Sequence, residues 1–306
     1  MSHTWNMSRP PYVNGDEALA AEFAAIRPRL VGVAYGLLGS VHEAEDVVQD
    51  AWFRLGRAAR SEIEDVTGWL VITVSRLALD VLRSARVRRE KYVGPWLPEP
   101  VVGEGDPADR VTLDESMSLA MLVVLESLSP AERTSFVLHD VFGLSFEEVA
   151  RAVGRSAAAC RQLAARARRH VAARAPRFEV DEAEHRRVVE AFARIVRDDG
   201  DDGDGGGIDA LMALLDPDVV LRSDGGGVVG SARRPVRGSD RVGRFMLGVI
   251  RKSGDPEGLA VTTVNGRAGL LWVRGKGLVV YGLTVSEGRI TEIDIVMNPE
   301  KLRSVR

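Results

Sequence analysis

The 306 residues are 45% hydrophobic and 28% charged, which excludes wholesale disorder, and the length exceeds a single ordinary core, which stops growing near roughly 250 residues. The net charge of -3 conceals acidic and basic residues segregated into blocks, and the only cysteine, Cys160, excludes an intrachain disulfide and lacks metal-ligand spacing, so no metal or cofactor is expected. Neither a signal-peptide pattern nor an uncharged apolar run of membrane-span length is present, so the expected setting is reducing and cytoplasmic, with no membrane partner.

Residues 17–92 have apolar positions at three and four spacing, including Leu30, Val33, Ala34 and Leu37, then Val47, Val48, Ala51 and Leu55, then Leu70, Val74, Leu77 and Val81. This predicts a helical bundle, broken at Gly39-Ser40 and over Ser61–Asp65, with Thr67-Gly68 preceding Trp69 and the longest helix. Residues 93–115, with Pro95, Pro98, Pro100, Gly103, Gly105 and Pro107, read as a linker. Helical periodicity resumes from about Thr112, and a second helical domain is predicted over 116–175. In it Ser129 caps a helix that has Pro130 at its first position.

Over 181–306 an α+β domain is predicted, with helices at 182–196 and 208–215. Strands at 219–222, 259–264, 270–273, 278–285 and 290–297 would form a curved antiparallel sheet. The Asp/Gly tract at 198–207 fails as a calcium loop. Its acidic residues lack the required alternation, and no glutamate follows before Glu257 to close a loop. It reads as a flexible acidic connection.

The segment Gly143–Arg169 reads as a helix-turn-helix. Ser145 and Glu148 form a capping box, Phe146, Val149, Ala150 and Val153 form an inward face, and Gly154 supplies the turn. Ser156, beside Arg155, then caps a second helix carrying Arg161, Gln162, Arg166 and Arg169. Arginine and glutamine there have the donors for bidentate contacts to guanine or adenine edges, while later arginines reach phosphates. A basic surface helix without special purpose fits the same residues.

A second basic block, Arg76, Arg83, Arg86, Arg88, Arg89 and Lys91, follows Trp69 on one helix, as suits a nucleic-acid backbone with a stacking contact. A solvated helix end with Trp69 in the core is equally compatible. Upstream, Glu43, Glu45, Asp46, Gln49 and Asp50 give a face that would repel DNA and suit a basic protein partner, or that is an ordinary acidic surface.

Taken together and in order, these segments resemble the extracytoplasmic-function sigma factors of the sigma-70 family. Ala44–Asp50 is similar to the segment that contacts the beta-prime clamp helices of core RNA polymerase, which implies polymerase contacts at Glu45, Asp46, Gln49 and Asp50. Gly68-Trp69-Leu70 through Arg83 resembles the helix that recognises and melts the minus-10 promoter element, implying roles for Trp69, Arg76, Arg83 and Arg86. Leu128–Arg133 with the helix-turn-helix resembles the domain that reads the minus-35 element and meets the beta flap, implying Arg155, Ser156, Arg161, Gln162, Arg166 and Arg169.

The resemblance extends to a subgroup with a C-terminal SnoaL-like domain, a cone fold of the NTF2-like class. It is carried by Trp96-Leu97-Pro98-Glu99-Pro100, Asp224-Gly225-Gly226-Gly227 and Asn298-Pro299-Glu300-Lys301-Leu302. It implies that these three segments meet and tune the sigma core, although Val228 stands where the subgroup usually has lysine and Glu300 where it has aspartate. Relatives of that fold include enzymes, so an unknown small ligand of the C-terminal pocket, with Asp224, Asp240, Asp294 or Tyr281 as acid or base, stays open beside the regulatory reading. Asp224, in a Gly-rich turn, reads as a docking residue rather than a desolvated one. An ordinary DNA-binding repressor is the other alternative.

Overall fold

The computed structural model describes residues 13–59, 63–89, 92–103, 117–173, 181–197, 206–253, 258–275 and 277–305. The resumption of helix at Thr112 and the core of the Asp/Gly tract lie outside these residues. Helices α1 (Val13–Leu38), α2 (Val41–Arg57) and α3 (Val66–Arg89) form the first bundle. The Ser40 side chain accepts from Glu43 N and starts α2, whose Ala44, Val47, Val48, Ala51 and Leu55 are buried. Asp65 accepts from Gly68 N at 3.0 Å, so α3 begins before Thr67 and Gly68 rather than after them. The longest helix is α1, with 26 residues against 24 in α3, despite Pro28 inside it.

Helices α4 (Leu119–Leu125), α5 (Pro130–Phe136), α6 (Phe146–Val153) and α7 (Ala157–Ala172) follow, with a π-helical turn at Val137–Val141. Capping boxes at Ser129/Glu132 and Ser145/Glu148 start α5 and α6, and Gly154, at φ 71°, ends α6 in the left-handed region. The two predicted helical domains are packed together. One apolar cluster runs from Leu30 of α1 to Val171 of α7 and includes the buried Cys160.

The C-terminal domain comprises α8 (Glu182–Arg197), α9 (Gly206–Leu214), β1 (Leu215–Asp224), β2 (Val236–Arg237), α10 (Ser239–Ser253), β3 (Leu259–Val264), β4 (Arg267–Arg274), β5 (Gly277–Ser286) and β6 (Arg289–Val296). Its sheet order is β2-β1-β6-β5-β4-β3. The sheet is mixed rather than antiparallel, because β1 pairs with β6 in parallel. Helix α10 was not anticipated; Gly243 and Gly248 interrupt a period that nonetheless buries Val242, Met246, Leu247 and Ile250.

Alternation along each strand gives the sheet two faces. Trp272, Tyr281, Leu283, Ile293 and Ile295 pack inward against Phe192 of α8 and Met246 of α10. Val280 and Val296 point the other way and, with Val264, bury against Leu97 of the linker, Leu119 of α4, Leu302 and Val305. Gly282 shares that face, where a Cβ would lie 2.6 Å from Leu119 Cδ2. The outer sheet face of this α+β cone is thus an interface with the helical body. An α+β domain with helices packed on one face of its sheet is the fold class that the resemblance implied.

Candidate functional site

In the helix-turn-helix, Arg155, Arg161, Gln162, Arg166 and Arg169 are all exposed. Arg161 pairs with Glu147 at 3.2 Å and Arg166 with Glu132 at 2.9 Å. Exposed pairs of this kind contribute little, so both guanidiniums can exchange a carboxylate for a phosphate or base edge at small cost. Ser156 accepts from Ala159 N, so its hydroxyl holds the start of α7.

On α3, Trp69 is half-buried and packs against the helical core. With Ile63, Asp65, Ile72 and Arg76 it lines a cavity of about 370 Å³ whose far wall is Arg151 of α6. Arg76 Nε donates to the Arg151 carbonyl at 2.9 Å, which joins the first basic helix to the helix-turn-helix. Arg83 is exposed and pairs with Asp80 at 3.1 Å. The Arg86 side chain lies outside the described residues. On α2, Glu45, Asp46, Gln49 and Asp50 share an exposed face with Phe53, an apolar side chain left 51% exposed.

The predicted interdomain segments converge on Asp224, whose side chain is fully buried. It accepts from Tyr92 Oη at 2.6 Å, Leu97 N at 2.9 Å and Gly226 N at 3.0 Å, and pairs with Lys301 Nζ at 2.7 Å. Asp224 therefore docks, as its glycine-rich setting suggested, but it is desolvated, contrary to that reading. Lys301 also donates to the Leu97 carbonyl and lies 3.9 Å over the Trp96 ring. Asn298 Nδ2 donates to Tyr92 Oη at 2.9 Å, and Gly226, at φ 66°, leaves room for it, since a Cβ would come within 2.6 Å of Asn298 Cγ. Burial pushes the Tyr92 phenol up and the Lys301 ammonium down. Pro98 is buried, whereas Pro299 and Val228 are exposed.

The linker is anchored on its other side to the first bundle. Glu99 is buried, with its carboxylate over the N-terminus of α2, where Oε2 accepts from Val41 N at 2.9 Å and Ser40 Oγ at 3.1 Å. Tyr35 Oη donates to the Glu99 carbonyl and accepts from Asn265 Nδ2, each at 2.7 Å. Tyr35, Tyr92 and Asn265 were not anticipated as interdomain contacts, and Glu99, within an anticipated segment, was not anticipated to reach α2.

The four acid or base candidates do not converge. Tyr281 faces the inner core, Asp294 the outer sheet face, Asp240 pairs with Arg244 in solvent at 2.8 Å, and Asp224 sits in the hub. Among the described residues no group of three or more histidine, cysteine or acidic side chains could hold a metal ion, and no helix is long and apolar enough to cross a membrane.

Asp294 and Glu292 share Arg222, at 2.9 and 3.2 Å. Burial pushes the Asp294 carboxyl up to about 6, against the pull of Arg222. An acid raised in the fold binds more protons than in the unfolded chain, so its contribution to stability is lost as pH rises from about 4 through 6. At about 1.4 kcal/mol per unit, the stability of the native chain relative to Asp294→Asn is expected to fall by about 3 kcal/mol at most over that window, read from urea midpoints. A difference flat in pH would refute it.

The sigma-70 region 2 family matches residues 23–88 and the sigma-70 region 4 family residues 118–171. The crystal structure of the Mycobacterium tuberculosis extracytoplasmic function sigma factor SigJ is similar at TM-score 0.77 and 37% identity, covering 92% of this chain and 98% of that one. In sequence, the ECF RNA polymerase sigma factor SigJ of M. tuberculosis is 41% identical over 297 residues, 92% of either chain. The probable ECF RNA polymerase sigma factor SigI of the same organism is 38% identical over 296 residues, 95% of this chain and 97% of that one. The chain belongs to the extracytoplasmic-function RNA polymerase sigma factors. This sigma factor is a non-catalytic partner of core RNA polymerase and promoter DNA that directs promoter-specific initiation. Its helical body carries both sigma regions, and its α+β domain grips the linker between them.

Proposed function

We propose that the α+β domain restrains the sigma factor by holding its two DNA-reading surfaces together. The observation that carries this is the contact of Arg76 on α3 with Arg151 on α6. Arg151 is five residues from Ser156 at the start of α7, a span of at most about 18 Å. Promoter elements about 25 base pairs apart, at about 3.4 Å each, are separated by roughly 85 Å. The closed arrangement can engage one element but not both. Opening must separate α3 from α6, while Asp224, Lys301 and Leu119 tie the linker and α4 to one rigid sheet.

In the open state Trp69, Arg76, Arg83 and Arg86 serve the minus-10 element. Arg155, Arg161, Gln162, Arg166 and Arg169 serve the minus-35 element, with Ser156 holding the helix that presents them. Glu45, Asp46, Gln49 and Asp50, with Phe53 as an apolar anchor, meet the clamp helices, and the helix-turn-helix domain meets the flap. Arg161→Ala is expected to cost about 1–3 kcal/mol of discrimination between matched and mismatched minus-35 sequences. Equal loss on every sequence in a competition binding assay would make it a phosphate contact instead.

The restraint is tested by run-off transcription with core polymerase and the chain ended before Asp181. The cluster from Leu30 to Val171 contains no residue of the α+β domain, so the shortened chain keeps apolar cover for its helices while losing the ties of the linker and α4 to the sheet. A raised output with the same promoter preference supports restraint, and a lowered one contradicts it. Output identical to that of the full chain refutes it.

A further inference from the structure

The loop from β1 to β2 brings two arginines of the α+β domain beside the end of α3. Arg233 and Arg234 are exposed, Arg237 follows on β2, and among the described residues none of the three pairs with a carboxylate. Other exposed arginines are neutralised locally, Arg83 by Asp80, Arg161 by Glu147 and Arg244 by Asp240. The acids of β1 do not offset this loop. Val220 opposes Arg237 in the antiparallel register, which places Asp216 and Asp218 beyond Arg237 and away from Arg233. The Asp224 carboxylate is closed within the hub. The loop is held in place. Ala232 N donates to Ser223 Oγ at 2.9 Å, and Gly94 packs against the other side, where a Cβ would lie 3.7 Å from Arg233 Cα. Pro235 further restricts the backbone at Arg234.

Gly94 follows the end of α3 at Arg89 and lies downstream of Arg83 on the same chain. The helical part of that span rises about 9 Å and the rest extends at most about 18 Å. Arg233 is therefore within roughly 30 Å of Arg83, less than one turn of duplex DNA. We infer that Arg233 and Arg234 contact phosphates of the promoter duplex adjoining the minus-10 element, so that the α+β domain extends the DNA-binding surface of region 2. Phosphate suits them better than base edges, because a short turn carries them rather than a helix or ribbon able to enter the major groove. The planar guanidinium fork also matches phosphate oxygens. The inference rests on the placement of the minus-10 element along α3 and not on the restraint. Tyr92 and Gly94 follow α3 directly, so the loop stays beside its end when α3 parts from α6.

The test uses holoenzyme assembled from core polymerase and the full chain, on a promoter that the native holoenzyme transcribes. Arg233→Ala combined with Arg234→Ala breaks no ion pair of the fold, and an unchanged urea midpoint checks this. The double variant is expected to bind the promoter more weakly at low salt, with a slope of log affinity against log salt shallower by about 2. The loss should be equal whatever the flanking sequence, and hydroxyl-radical protection should weaken within about 10 base pairs of the minus-10 element. A salt slope and protection identical to those of the native chain overturn the surface. So does a loss of affinity for core polymerase measured without DNA, which would assign the arginines to a protein partner. Arg83→Ala separates the two readings. Unchanged minus-10 protection in that variant removes the placement on α3 and this inference with it. Weakened protection there, beside a silent double variant, leaves the placement standing and rejects the arginine pair alone.

Discussion

Asp224→Ala is expected to release the linker from the α+β domain and to cost about 3–5 kcal/mol of interdomain stability. The carboxylate is fully buried, and its removal leaves Tyr92 Oη, Leu97 N and Gly226 N without their acceptor and Lys301 without its counter-charge. A buried ammonium without its counter-charge is the main part of that cost. Urea unfolding followed by tryptophan fluorescence should then separate into two transitions, because Trp96 reports the hub and Trp272 the cone interior. Asp224→Asn keeps the acceptor shape but not the charge and should fall between the two. A single transition in Asp224→Ala, coincident with that of the native chain, would mean that the hub contributes nothing to docking.

Glu126→Ala is expected to destabilise the helical body by a similar amount, about 3–5 kcal/mol, through a different link. Glu126 bridges Arg89 at the end of α3 and Arg133 of α5, with side-chain exposures of only 15% and 2% for the two arginines. Its loss leaves two cations repelling one another where regions 2 and 4 meet. The chain ended before Asp181 should suffer equally, since no residue of the α+β domain joins this triad. Combining Glu126→Leu with Arg89→Met and Arg133→Met should recover much of the stability, because apolar side chains of similar volume avoid the desolvation cost. A destabilisation that appears only in the full chain would mean that the triad acts through the α+β domain.

The helix-turn-helix was legible because its information is local. Ser145 with Glu148, Gly154 and Ser156 are capping signals within four residues of the backbone groups they serve. The same holds for Ser129 and Glu132 at the start of α5. The three interdomain motifs were legible as motifs, and the structure brings Trp96, Leu97, Asp224, Asn298 and Lys301 within one hub. Their partners were not legible. Tyr92 and Asp224 are 132 positions apart and Tyr35 and Asn265 are 230 apart, and nothing local in a tyrosine or asparagine marks such a contact. Glu99 read as part of a proline-rich linker, yet it serves the N-terminus of α2 from 58 residues away. The direction of β1 was equally hidden. An alternating strand looks the same whether its neighbour runs parallel or antiparallel, and the parallel pairing with β6 arises from the intervening helix and hairpins.

Packing of α3 on α6 also had no local signal, because the apolar positions of each helix fit a separate domain as well as a shared core. Yet that packing carries the functional account. Fluorescent labels at Ser84 on α3 and Ala165 on α7, both exposed, report it as a distance in the full chain, free and within a transcribing polymerase complex. The account predicts a short distance in the free protein, lengthening by tens of ångströms on the promoter, with Asp224→Ala shifting the free protein toward the long value. A short distance that persists in a complex making transcript would contradict it.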